Sequence, residues 1–264
     1  MLCQAALKPC EKGKKAFDGK VAIVTGSTYG IGFAMARRLA EDGAHVLLCS
    51  RKSENVERAI EQLKEEGLSI SAIQCHVGNK EDRERLVATA IEIYGKIDIL
   101  ICNAAVNPFV GPIFDTTEEM WEKVFHVNVI STFLLIKLVA PHMQKQGGGS
   151  IIICSSFIGY IPHPYIGPYS ITKTALLGLT NIMAQSLRSM NIRVNGLALG
   201  LIDTSFSNVI KKTPELASKL VPLGVIRPGK PEECTGIASF LCSEDASYIN
   251  GENIAVTGGI RGRL

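Results

Sequence analysis

The sequence holds eight cysteines but no Cys-x-x-Cys pair, so it lacks the spacing by which zinc and redox cysteines are usually recognised. Cys49, Cys75, Cys102 and Cys154 instead sit at or near the ends of apolar, strand-like runs. That placement fits buried reduced thiols in a reducing compartment, not a disulfide framework. Charge of one sign is also scarce: 28 Lys and Arg face 25 Asp and Glu, a formal balance of +3. This is too little for an electrostatic nucleic-acid binder. No apolar run reads as long enough to span a bilayer. The opening stretch, MLCQAALKPCEKGKKAF, has an apolar patch without a signal-peptide core, so secretion is not expected. Internal repeats, low-complexity tracts and linkers are missing too. In 264 residues that leaves one domain as the simplest organisation.

What is present is a regular alternation. Apolar residues make up 46% of the chain, enough for a sizeable core. Apolar runs at 20–25, 44–49, 70–75, 97–102, 150–154, 192–199 and 253–256 read as strands. Helical patterns fall between them at 31–42, 54–66, 80–94, 118–144, 169–189 and 232–241. Strands apolar on both sides, separated by amphipathic helices, imply a parallel sheet covered by helices on both faces. The expected fold is α/β, a single doubly wound Rossmann-type domain over 17–264 behind a polar N-terminal tail, 1–16. The stretch 202–231 carries no strand signal and reads as a lid over a site.

Thr25-Gly26-Ser27-Thr28-Tyr29-Gly30-Ile31-Gly32 follows the first strand and opens the first helix. Glycines allow positive φ and close backbone approach, and a helix N-terminus offers free amides to an anion. In this context the turn is expected to hold a dinucleotide pyrophosphate, through Gly26, Ser27, Thr28, Gly30, Ile31 and Gly32. An NAD site commonly carries Asp or Glu at the end of the second strand, for the ribose 2′-hydroxyl. Here Cys49-Ser50-Arg51-Lys52 stands instead, with two cations and no carboxylate. The cofactor expected is NADP(H), with Arg51 gripping the 2′-phosphate and Lys52 beside it.

In Pro168-Tyr169-Ser170-Ile171-Thr172-Lys173 a proline suits the first turn of a helix, and Tyr169 and Lys173 then share one face. Taken alone the pair also fits an ordinary surface. Its companions give it meaning. They are the glycine turn, Asn103-Ala104-Ala105 after the fourth strand, Asn128 within Val127-Asn128-Val129, Ser156 after the fifth strand, and Asn195 and Gly200 near the sixth. In this order the motifs resemble the short-chain dehydrogenase/reductase family over nearly the whole chain. NAAVNPF, ITKTALLGL and FLCSEDASY resemble in particular its branch of NADPH-dependent carbonyl and retinal reductases.

The resemblance implies Tyr169 as general acid and base, Ser156 as hydrogen-bond partner of the carbonyl oxygen, and Asn128 as holder of a water in the proton path. It implies that Lys173 tunes Tyr169 and binds the nicotinamide ribose. It places His76, Val77, Asn103, Ala104, Ala105, Gly200, Ile202 and Thr204 along the cofactor, with no metal. A cation about 4 Å from a phenol is worth about three pKa units at an effective dielectric near 20, before desolvation opposes it. Tyr169 is therefore expected to titrate below its usual value of about 10. Three positions depart from the family pattern: His76 replaces an aspartate, Ala105 a glycine, and Leu199 a proline. Phe109, Phe157, Ile158, Ile161, Phe206 and Ile210 favour a small hydrophobic ketone, aldehyde or retinoid as substrate. A homotetramer is implied, and a catalytically silent NADP-binding regulator or scaffold is the alternative. The terminus Gly262-Arg263-Leu264 half-matches a peroxisomal address. Peroxisome and cytosol stay open, with the mitochondrion third.

Overall fold

Within residues 15–207 and 227–260, which the computed structural model describes, seven parallel strands form one sheet. They are β1 (Val21–Thr25), β2 (His45–Ser50), β3 (Ile70–Gln74), β4 (Ile99–Cys102), β5 (Gly149–Ser156), β6 (Ile192–Leu199) and β7 (Asn253–Val256). The spatial order is β3-β2-β1-β4-β5-β6-β7. Successive side chains on a strand point to opposite faces. Val24, Leu48, Ile101 and Ile152 accordingly pack in one buried layer, and Ile23, Leu47, Leu100 and Ile153 in another. Both faces need cover, which explains why the strands read as unbroken apolar runs.

Helices supply that cover. Among the described residues they are α1 (Gly30–Glu41), α2 (Ser53–Glu65), α3 (Lys80–Tyr94), α4 (Glu118–Phe125), α5 (Ser131–Lys145), α6 (Gly167–Leu187) and α7 (Thr235–Cys242). Met35 and Leu39 of α1, Leu63 of α2 and Leu241 of α7 fill the first layer. Leu86 of α3, Leu135 and Met143 of α5 and Leu176 of α6 fill the second. The strand order reverses between β1 and β4, and such a switch point opens a crevice at the carboxyl ends of the strands.

Several expectations change here. The helix expected at 118–144 is two α-helices joined through a π-helical turn, His126–Ile130. Together they make a 28-residue rod, Glu118–Lys145, long and apolar enough to cross a membrane. Length and composition alone give it that property. Half of its most apolar stretch is buried inside the fold, as in the core helix of a folded domain. Strand β5 runs on to Ser156, which ends the strand instead of following it. Residues 1–14, 208–226 and 261–264 lie outside the described residues. They include most of the expected tail, Ile210, the bulk of the expected lid and the Gly262-Arg263-Leu264 terminus. The described ends of the lid meet where Ile202 pairs with Gly229 in a parallel bridge.

Candidate active site

The nucleotide end begins at Thr25, the last residue of β1. Its Oγ1 accepts the backbone N–H groups of Asn103 and Ala104, both at 3.1 Å. Asn103 Nδ2 donates back to the carbonyls of Thr25 at 3.1 Å and Gly26 at 2.9 Å. The loop after β4 is thereby stitched to the glycine turn. Gly26 has φ +60, and a Cβ there would lie 2.9 Å from Ala104 Cα. A Cβ on Gly32 would come within 2.4 Å of the Gly26 carbonyl oxygen. Only hydrogen fits at these contacts. The first turn of α1 has neither a side-chain cap nor an acidic residue, which leaves its amides available to an anion.

A cleft of about 310 Å³ runs from this turn to α6. Of the expected cofactor residues, Gly26, Gly30, Ile31, Arg51, His76, Val77, Asn103, Ala104, Ala105, Tyr169, Lys173, Gly200, Ile202 and Thr204 line it. Ser27, Thr28, Gly32 and Lys52 do not. Ser27 is fully buried, donating to the Val24 carbonyl at 2.6 Å and accepting from Cys49 N–H at 3.1 Å, so its side chain joins β1 to β2. Among the described residues lining the cleft there is no Asp or Glu, while Arg51 and Lys173 are cations. A doubly phosphorylated anion with an extra phosphate near Arg51 fits such a wall. His76 is anchored by its own N–H, which donates to Asp82 Oδ2 at 2.8 Å, and its Nδ1 accepts from Gly78 N–H at 3.0 Å. The backbone donor of His76 holds the Asp82 carboxyl below its usual pKa.

The other end, where the residues expected to be catalytic gather, is built on β5, β6 and α6. Ser156 Oγ donates to the Leu199 carbonyl at 3.1 Å and accepts from Ile158 N–H at 3.3 Å. Leu199 thus continues the strand and fixes the serine hydroxyl. Tyr169 sits in the first turn of α6 and packs against Phe206, ring centroids 5.6 Å apart. Lys173 is buried, its Nζ donating to the Cys154 carbonyl at 2.8 Å and lying 5.4 Å from the centroid of the Tyr169 ring.

The titration expectation is overturned at this point. Burial raises the Tyr169 phenol well above its ordinary value, only partly offset by a hydrogen bond with Ser156. Burial likewise lowers Lys173 to about 8. The assumed geometry put an ammonium beside the hydroxyl. The ammonium is instead drawn to a strand carbonyl and lies over the ring, so desolvation outweighs attraction.

Asn128 occupies the π turn and is buried. Its Oδ1 accepts from Val106 N–H at 2.8 Å, and its Nδ2 donates to the Val106 carbonyl at 3.0 Å and to Thr172 Oγ1 at 3.1 Å. The side chain clamps the loop after β4 to α6 and does not line the cleft. Holding a water was its expected part; both amide hydrogens are engaged, and Oδ1 keeps one lone pair for such a water.

Of the expected substrate residues, Phe157, Ile158 and Phe206 line the cleft, whereas Phe109 and Ile161 do not. Val110 and Ile166 complete the apolar wall and were not anticipated. Ile260 was also missed. It is buried against Phe157, Ile158 and Ile166, reached through Gly258 and Gly259 at φ +63 and +106. The paired glycines after the last strand were the available signal. Tyr29, inside the glycine turn, lines the cleft as well.

The chain is similar to known proteins in sequence and fold. The family described as enoyl-(acyl carrier protein) reductase matches residues 26–261. Dehydrogenase/reductase SDR family member 4 of Bos taurus is 58% identical over 247 residues, covering 93% of this chain and 88% of its own. A 7α-hydroxysteroid dehydrogenase complexed with NADH and 7-oxo glycochenodeoxycholic acid superposes with a TM-score of 0.87 at 32% identity, covering 97% of this chain and 99% of its own. Actinorhodin polyketide ketoreductase with NADPH gives a TM-score of 0.86 at 28% identity, covering 93% and 98%.

Proposed function

Because the chain belongs to the short-chain dehydrogenase/reductase family of oxidoreductases, we propose that it reduces hydrophobic ketones and aldehydes, retinal-like compounds included, with NADPH, and reversibly oxidises the alcohols. The carrying observation is one cleft with two unlike ends. Arg51 stands at one end with no carboxylate near it on the wall, and Ser156, Tyr169 and Lys173 converge at the other beside Phe157, Ile158 and Phe206.

The amides of the glycine turn would hold the pyrophosphate, Arg51 the 2′-phosphate and Lys173 the nicotinamide ribose. When bound, NADPH supplies the hydride. Ser156, whose one proton points to the Leu199 carbonyl, would turn it to the substrate oxygen as charge develops there. With its pKa raised, the half-buried phenol stays protonated at neutral pH, the state in which Tyr169 can donate to an oxygen that gains charge. The apolar wall excludes water and selects a hydrophobic carbonyl. Leu199, the departure that favoured a catalytically silent reading, still offers its carbonyl to Ser156.

Exposed apolar side chains support an association of copies. Ile130 and Phe133 along the α4–α5 rod and Ile171 and Ile182 on α6 are exposed. Second copies covering such faces would give the homotetramer, which light scattering of the purified protein tests. The compartment, peroxisome or cytosol, is tested by deleting Gly262-Arg263-Leu264 from a tagged protein.

The direct assay follows NADPH oxidation with a panel of hydrophobic aldehydes and ketones. Turnover is expected for several of them. NADPH binding without turnover across the panel would favour the regulator or scaffold instead.

A further inference from the structure

Tyr29 caps α1 within the glycine turn and lines the cleft with Gly30, Ser50 and Arg51. Although 44% exposed, it is not loose. Its hydroxyl donates to Asn55 Oδ1 on α2 at 2.6 Å. The Arg58 guanidinium carbon stands 4.1 Å from its ring centroid. Asn55 and Arg58 are three residues apart and so share one face of α2. A tyrosine face attracts a cation at that distance. A guanidinium stacked on a ring keeps its N–H edge free to bind phosphate oxygens.

Arg58 is exposed, and among the described residues it has no carboxylate within ion-pair distance. Glu54 lies one turn earlier on α2 and makes no ion pair with it among the described residues. The side chain thus packs on Tyr29 while leaving its charge unspent. Arg51 lies on the wall that Tyr29 helps to form. One aromatic residue of the glycine turn therefore shares the cleft wall with the end of β2 and carries on its ring a cation from α2, which stands outside that wall.

We infer that Arg58 is a second ligand for the phosphate on the cofactor's adenosine ribose, and that Tyr29 positions it. The anion is then gripped from two sides, by Arg51 from the end of β2 and by Arg58 from α2. This rests on the NADP(H) reading above and adds to it a residue pair that the glycine pattern does not reveal.

The test is equilibrium binding, by calorimetry, of NADPH, NADH and adenosine 2′,5′-bisphosphate to wild type and variants. Arg58→Ala should weaken NADPH and the bisphosphate by about threefold to tenfold, since a partly exposed charge contact is worth less than a buried one. NADH should change by less than about twofold, and the salt dependence of NADPH binding should become shallower. Tyr29→Ala should reproduce that pattern, and the double variant should be no weaker than Arg58→Ala alone, because both act through one guanidinium. Tyr29→Phe keeps the ring and should stay within about twofold of wild type.

Equal losses for NADPH and NADH would overturn the assignment and make the pair an adenine contact or a brace. Unchanged NADPH binding in Arg58→Ala would overturn it too. Wild-type preference for NADH would fell the NADP(H) reading itself, whereas wild-type preference for NADPH with an unmoved Arg58→Ala would fell only this inference.

Discussion

At the nucleotide end of the cleft the wall is made by what is missing from the side chains. Gly26 and Gly32 let one backbone segment approach another, and α1 begins with bare amides. At the catalytic end the wall is made by side chains whose polar atoms are already engaged, with Ser156 on Leu199, Lys173 on Cys154 and Asn128 on Val106. The contrast teaches how each end should fail. A backbone-built site fails by collision when a methyl group is added. A side-chain-built site loses its chemistry when an atom is removed, while the fold survives.

Gly32→Ala is the harshest way to press that contrast. Its new Cβ would meet the Gly26 carbonyl oxygen, a backbone atom, at 2.4 Å. Loss of NADPH binding and destabilisation of at least about 2 kcal/mol are expected, read from calorimetry and a denaturant midpoint. Tyr169→Phe should do the opposite, leaving midpoint and NADPH affinity nearly unchanged while turnover falls by about 10² to 10⁴. If both variants lost stability alike, the two ends would not differ as described.

Asn128→Ala sharpens the comparison, because it removes an atom set that clamps and does not react. Truncation would strand Val106 N–H and its carbonyl, at a cost of about 2–4 kcal/mol. Thermal unfolding should register the loss, and turnover per folded molecule should fall less than in Tyr169→Phe.

The buried charge gives a smaller, pH-dependent effect. Lys173 titrates at about 8 in the fold and near 10.4 unfolded. Below pH 8 it is charged in both states and its burial cost is fully present. Between those values the unfolded chain keeps a proton that the folded one has released, so this contribution to stability rises with pH. Lys173→Met should exceed wild type at pH 7 by up to about 2–3 kcal/mol, with the gap closing towards pH 10. The buried thiols of Cys234 and Cys242, pushed up to about 12, act in the opposite direction in both proteins and cancel in the difference, whereas Cys154, whose thiol Lys173 draws down, titrates higher in the variant.

Which parts of this were legible follows from the same contrast. Strands such as β6 and β7, and helix α3, fall where the patterns place them, because burial on both faces and helical periodicity are written in residue type. The glycine turn was readable for a related reason: few positions demand the absence of a side chain. The π turn was not, since nothing in His126–Ile130 forbids an ordinary α-helix. The long helical stretch around that turn was legible, being expected at 118–144 and found as Glu118–Lys145. The electrostatics at Tyr169 went astray because spacing shows that Lys173 shares its helix face, not which carbonyl the ammonium meets. Ile260 escaped because its place depends on the chain turning back across β7 to the far wall.

The account's central claim, a single cleft that joins an NADP(H)-selective end to a carbonyl-reducing end, is tested most directly by one ratio. It is kcat/KM with NADPH over kcat/KM with NADH, measured with one hydrophobic aldehyde in wild type and in Arg51→Asp. A lost charge-assisted phosphate contact is worth about 1.5–3 kcal/mol, or about tenfold to a hundredfold. The substituted carboxylate adds repulsion of the 2′-phosphate and an acceptor for the ribose hydroxyl. Wild type should favour NADPH, and Arg51→Asp should lower the ratio by at least about tenfold while turnover with NADH persists. A wild-type preference for NADH, or a ratio unmoved by Arg51→Asp, would contradict it.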